Sequence, residues 1–209
     1  MATPLWSQRF FATTRGRIIL LLRGASQTVE ELAQALDLTD NAVRAHLATL
    51  ERDGLVEQRG ARRGPGKPAF IYALTAGGEE LFPKAYEPVL RELLDTLNER
   101  ERPDSVAALL RAAGARMARG IEGRRGDLRA RAAGAAEALN DLGGLAELVE
   151  TEREYWIQGQ RCPLSALIPD HPEMCQMAEA LVSEMTGMEA QEHCDQGALP
   201  RCRFVISKP

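Results

Sequence analysis

Thr28-Val-Glu-Glu31 constrains this chain more than any other short stretch. A threonine followed three residues later by glutamate forms a capping box. The hydroxyl accepts from the backbone N–H of Glu31, and the Glu31 carboxylate accepts from the N–H of Thr28, so a helix must start there. Val29, Leu32, Ala33 and Leu36 then recur at the spacing of one buried helical face. Asp37-Leu38 allows only a short turn. Thr39 caps a second helix, Asp40 to Asp53, which Gly54 stops. In this second helix Val43, Leu47 and Leu50 fall on the side facing the first, with His46 at its margin as a half-buried interface residue. Asn41, Arg44, Ala45 and Ala48 fall on the other side.

That outer face suits a DNA major groove. Asparagine and arginine match adenine and guanine edges with paired hydrogen bonds, and the alanines keep the helix slim enough to approach closely. Two β-prone segments follow at once, Leu55 to Arg59 and Ala69 to Leu74. They flank the turn-rich Gly60-Ala-Arg-Arg-Gly-Pro-Gly-Lys-Pro68, which reads as a hairpin with a long basic tip. No acid lies between Glu57 and Glu79, whereas Arg59, Arg62, Arg63 and Lys67 do. The order of helix, turn, helix and basic hairpin predicts a winged helix–turn–helix. Its candidate DNA-contacting residues are Thr28, Thr39, Asn41, Arg44, Ala45, Ala48, Arg59, Arg62, Arg63 and Lys67.

The net charge of −4 is no nucleic-acid signature in itself, but its distribution is informative. From Ala146 onward acids dominate, so only the N-terminal part is suited to phosphate. The 44% hydrophobic and 27% charged fractions are ordinary for a globular protein. The apolar run Ile18 to Leu22, between two arginines, is far too short to span a bilayer. With no secretory leader recognisable at the start, the expectation is a cytoplasmic protein.

Before the capping box, Thr14 to Arg23 reads as a helix. After the hairpin, Thr75 to about Asn98 reads as a helix that is kinked at Pro83 and Pro88 or begins properly after Pro88. Its leucines from Leu90 to Leu97, with Val89, suit a helical dimer seam. Glu99-Arg-Glu-Arg-Pro103 is a charged break. Two Ala- and Arg-rich helices follow, Ser105 to about Arg119 and Asp127 to Leu142. Strands are expected at 146–151 and 155–160, a helix from Pro172 to about Thr186, and strands at 188–193 and 203–207. The expected organisation is α+β. It has a winged helix–turn–helix over residues 1–76, a helical dimerisation segment over 77–103, and a small β-β-α-β-β cysteine domain over 104–209.

All four cysteines lie in that last part, spaced C-x12-C-x18-C-x7-C at Cys162, Cys175, Cys194 and Cys202. No pair has the C-x2-C knuckle of common zinc sites. Each cysteine instead sits at the end of a predicted element, and element ends on one side of a small domain can converge. Four thiolates suit an iron–sulfur cluster or zinc, and nothing in the spacing chooses between them. His171, Glu173, His193 and Asp195 are alternative ligands close by. Clustered cysteines in a cytoplasmic chain point to metal or redox chemistry rather than structural disulfides.

At these residues the chain resembles the SufR-type regulators, winged-helix repressors that carry an iron–sulfur cluster. The resemblance runs through Asn41-Ala-Val-Arg-Ala-His-Leu-Ala-Thr-Leu-Glu-Arg-Asp-Gly-Leu55 and Tyr72-Ala-Leu-Thr-Ala-Gly-Gly-Glu-Glu-Leu-Phe-Pro-Lys-Ala-Tyr86. It continues through Cys162-Pro163, Pro172-Glu-Met-Cys175 and Arg201-Cys-Arg-Phe-Val-Ile206. Between Ala107 and Ala146 only the pattern matches. The resemblance implies a homodimer on double-stranded DNA whose cluster-bound form represses iron–sulfur assembly genes, with Cys162, Cys175 and Cys202 as ligands. Cys194 departs from the family pattern. The resulting expectation is a non-enzymatic, sequence-specific DNA-binding regulator with no membrane partner and no small-molecule substrate evident. Its DNA affinity would be set by an iron–sulfur cluster. The alternatives are a zinc- or thiol-redox-dependent regulator on the same scaffold and an electron-transfer module.

Overall fold

The computed structural model describes residues 5–63, 68–121, 125–197 and 199–209. The chain divides between Lys84 and Ala85 into two units. The first contains α1 (Leu5–Ala12), α2 (Thr14–Gly24), β1 (Gln27–Thr28), α3 (Val29–Leu36) and α4 (Asp40–Arg52). It ends with β2 (Val56–Arg62), β3 (Ala69–Leu74) and a single turn, α5 (Ala76–Glu79). The capping box at Thr28 forms in full: Glu31 N–H donates to the Thr28 hydroxyl at 3.3 Å, and Thr28 N–H donates to the Glu31 carboxylate at 2.7 Å. The turn into α4 is made by Asp37, whose φ of 56° is left-handed, a conformation that Asp and Asn tolerate better than other side chains. At the far end of α4 the N–H of Gly54 returns to Glu51 and that of Leu55 to Leu50, with Gly54 at φ 70°. This is a Schellman ending, which turns the chain directly into β2.

The three strands form an antiparallel sheet in the order β1-β3-β2. Ile18, Ile19, Leu32, Val43, Leu47 and Val56 make the centre of this unit's core. α1 and the two-residue β1 have no counterpart in the sequence reading. β2 also runs further than expected, to Arg62, with a register shift between Gln58 and Ala61 around Gly60 at φ 112°. Arg62 therefore lies on a strand rather than in the expected loop, while Arg59 lies on the strand expected for it. The Gly64-Pro-Gly-Lys67 tip falls outside the described residues, and with it Lys67.

The second unit contains α6 (Tyr86–Arg100), α7 (Pro103–Arg119), α8 (Leu128–Asp141), β4 (Ala146–Glu150) and β5 (Glu154–Gly159). A 3-10 turn at Pro172–Met174 leads into α9 (Cys175–Thr186), followed by β6 (Ala190–Glu192) and β7 (Arg203–Ser207). The sheet is antiparallel in the order β4-β5-β7-β6. Tyr155 and Ile157 of β5 stand opposite Ile206 and Phe204 of β7, and all four enter one core with residues of α7, α8 and α9. α7 and α9 approach closely at Gly114, where a Cβ would collide with the Met177 carbonyl oxygen. The helix expected from Thr75 to about Asn98 is two helices, with Pro83 in the break between them. Pro88 is the third residue of α6, where its missing N–H has no intrahelical partner to lose.

Candidate DNA interface and cysteine centre

α4 is held by three apolar residues: Val43 and Leu47 are fully buried and Leu50 nearly so. Because they sit on one side, the helix turns Asn41, Arg44, Ala45 and Ala48 outward, and all four are exposed. His46 is half-buried at the margin. Thr39 caps α4 by accepting from the N–H of Ala42 at 3.3 Å. Thr28, expected among the DNA-contacting residues, is only 5% exposed. Its hydroxyl and amide are both committed to the capping box, so the residue is withdrawn from the surface by the fold itself.

The arginines of this surface have acidic neighbours, one of them far away in the chain. Arg62 reaches across to Glu31 on α3 at 2.5 Å, and Arg59 pairs with Glu57 on its own strand at 2.6 Å. Arg44 lies 3.8 Å from Asp40 one turn earlier. The Thr28 amide, and after it the Arg62 guanidinium, hold the Glu31 carboxyl below its ordinary range. Arg63 is exposed beside the tip.

In the second unit all four cysteines line one apolar cavity of about 170 Å³, with Leu139, Ile168, Leu181 and Phe204 among its walls. The elements explain the convergence. Cys162 lies just beyond the end of β5, Cys175 is the first residue of α9, Cys194 lies just beyond β6 and Cys202 immediately precedes β7. Cys162, Cys175 and Cys202 are buried, whereas Cys194 is partly open. The thiols form a chain of contacts from Cys162 to Cys202, from Cys202 to Cys194 and from Cys194 to Cys175. Contact with Cys202 pulls the Cys162 thiol down, outweighing its burial. Donation to Cys194, and then burial, raise Cys175; donation to Cys162 raises Cys202. Cys194 is favoured as thiolate by Cys175, yet its contact with Cys202 and its burial outweigh that, and the net direction is up. Contact and burial thus push Cys175, Cys194 and Cys202 toward the protonated form, and a cation in the cavity would stabilise a full set of thiolates.

Backbone and amide donors already point at the sulfurs. Arg203 N–H donates to Cys194 Sγ at 3.3 Å, and the Gln196 side-chain amide approaches Cys175 Sγ at 3.8 Å. Such N–H···S contacts, together with burial, tune thiolate-bound metal centres. The donor set and the mostly apolar lining therefore fit either a cluster or zinc. Ligand atoms of Cys175, Glu192 and Cys194 lie within 4.8 Å of one another. Glu192 was missed in the sequence, although residues two apart on an extended segment share a side, which sets it beside Cys194. The alternative ligands lie elsewhere. His193 and Asp195 line a polar cleft with Arg201, Cys202 and Arg203, and His171 and Glu173 contact each other next to α6.

Residues 13–59 match the family model described as a helix-turn-helix domain. The match begins at the N-cap of α2 and ends within β2, so it spans the whole candidate DNA surface except the end of the hairpin. It supports a DNA-binding transcription regulator. None of the curated proteins matches the chain. Among the described residues no helix is long and apolar enough to cross a membrane.

Proposed function

We propose that this protein is a sequence-specific, winged-helix DNA-binding regulator whose affinity for its operator is set by a metal centre at Cys162, Cys175, Cys194 and Cys202. The observation that carries the DNA reading is the outward set Asn41, Arg44, Ala45 and Ala48 over a fully anchored face of α4. α4 enters the major groove, and the β2–β3 hairpin lies along the backbone as the wing, with Arg59, Arg62, Arg63 and Lys67 toward phosphate. The sensing half rests on four soft ligands sharing one apolar cavity.

An iron–sulfur cluster is the first choice for that centre. When bound, it supplies a charge that responds to oxidants and ties together the ends of β5, α9, β6 and β7. Cys162, Cys175 and Cys202 hold it, and Cys194 is the fourth ligand. Zinc is the second reading, favoured by the Glu192 oxygen beside Cys175 and Cys194, because zinc accepts mixed sulfur and oxygen ligands. Repression of iron–sulfur assembly genes follows from the resemblance to SufR-type regulators.

The protein acts as a homodimer. The expected seam of Leu90 to Leu97 needs revision, because Leu94 is buried in its own unit and Leu90 and Leu97 pack against the same core. Tyr86, Val89 and Leu93, each more than half exposed, form the stripe left for a second copy of the chain.

The deciding test is iron, sulfide and zinc content of protein purified without air, followed by DNA binding with the centre loaded and stripped. Iron with sulfide, and an affinity that changes on stripping, is the expected result. Zinc without sulfide selects the second reading. Cys162→Ser or Cys202→Ser retaining full wild-type content would overturn the ligand assignment.

A further inference from the structure

The segment from Pro163 to Met174 joins two of the candidate ligands, Cys162 and Cys175, and it is not a loose loop. Leu167, Ile168, His171 and Met174 are each no more than 3% exposed. Its backbone closes on itself through His171 N–H to Leu167 O and Ile168 N–H to Leu164 O. Its outer edge is clasped by one polar stripe of α6. Arg91 donates to the Asp170 carboxylate and the Ala166 carbonyl, while Glu87 braces it from behind at 3.0 Å. Asp95 lies 3.5 Å from Nε2 of His171, whose Nδ1 is 3.2 Å from Glu173. Asn98 donates to the same Glu173 oxygen at 2.8 Å. Glu87, Arg91, Asp95 and Asn98 follow steps of four, four and three, so they share one helix face. α6 is also the first element of the second unit, directly after the DNA-binding unit in the chain.

We infer that this clasp is the element through which occupancy of the cysteine centre reaches α6 and so regulates DNA binding. This rests on the regulator reading above. A metal at Cys162 and Cys175 restrains both ends of a stiff, packed segment, and the Arg91 and Asp95 contacts transfer that restraint to α6. Without the clasp the two events lose their shared element. Coupling between sites in proteins typically amounts to about 5–150-fold in affinity, a size that loss of a few such contacts can remove.

The experiment uses the full chain, wild type and Arg91→Met, which keeps the straight aliphatic stem and deletes the guanidinium. Asp170→Asn is the second variant should the first fail to fold. Each is loaded without air with ferrous iron and sulfide, or with zinc, and then stripped. Two quantities are read: deuterium uptake across residues 86–100, and the ratio of loaded to stripped affinity for a duplex selected from a random-sequence pool. Wild type is expected to show slower uptake when loaded and a ratio far from one. The variant, at unchanged metal content, is expected to show load-independent uptake and a ratio near one. A variant that keeps both responses overturns the clasp while leaving the regulator reading intact. A clasp-dependent uptake response without any selected duplex overturns the regulator reading and retains the clasp. Failure of both metals to bind overturns the centre and the clasp's role together.

Discussion

The Glu31 carboxylate serves the Thr28 amide with one oxygen and the Arg62 guanidinium with the other. Both contacts favour the ionised form, so its folded pKa lies below the ordinary value of 4.5. The resulting stabilisation is fully present above that value and is lost as pH falls through the lowered folded one. Denaturant unfolding at about pH 7 and about pH 3.5 should therefore show a larger acid-induced loss for wild type than for Glu31→Gln. Equal losses would mean the carboxylate contributes nothing through its charge. Arg44 poses a different question, because it pairs with Asp40 across 3.8 Å with both side chains exposed. An exposed pair of this kind is worth about 0–1 kcal/mol, less than the about 1–3 kcal/mol of a good base-edge contact, so DNA should win Arg44 from Asp40. Arg44→Ala should cost about 1–3 kcal/mol on the selected site and much less on random DNA, as read by parallel titrations. Equal losses would reassign Arg44 to phosphate.

At the scale of elements, the hairpin is a strand pair whose basic residues are partly pre-engaged. Arg62 ties β2 to α3 through Glu31, whereas Arg63 stands exposed at the margin of the tip. Replacing Arg63 by Ala should flatten the dependence of log affinity on log salt by roughly one unit if it meets one phosphate. Arg62→Ala should flatten it similarly and also lower the stability of the free protein, because the Glu31 contact is lost in the absence of DNA. An unchanged slope in both variants would remove the hairpin from the backbone contacts. α6 likewise has three separate uses of its circumference. Leu94 enters the core, Arg91 and Asp95 meet the segment between two cysteines, and Tyr86, Val89 and Leu93 remain in solvent.

For the whole molecule, that exposed stripe predicts a twofold-symmetric pair and therefore a near-palindromic binding site. Light scattering at micromolar concentration should give twice the chain mass for wild type. The double variant Val89→Asp, Leu93→Asp should give a folded monomer with its metal content unchanged, because neither side chain belongs to the core or the cysteine cavity. A wild-type monomer would sink the dimer reading, and with it the expectation of a symmetric operator.

The sequence determined whatever depends on near neighbours. The capping box, the Gly54 stop and the apolar period of α4 are local events, so the two helices, their turn and the exposure of Asn41 and Arg44 could be read from residue order. The strands from Ala146 onward were legible for the same reason. Tertiary structure alone decided which distant groups meet. It set Arg62 on Glu31, buried Thr28, drew Leu94 inward from an expected seam and put Glu192 beside Cys175. It also closed four cysteines around one cavity while leaving His171 under α6. Spacing along the chain limits reach, but it does not say which side chains share a space. That is settled by how sheet and helices exclude water together, and no window of sequence contains both sides of such a contact.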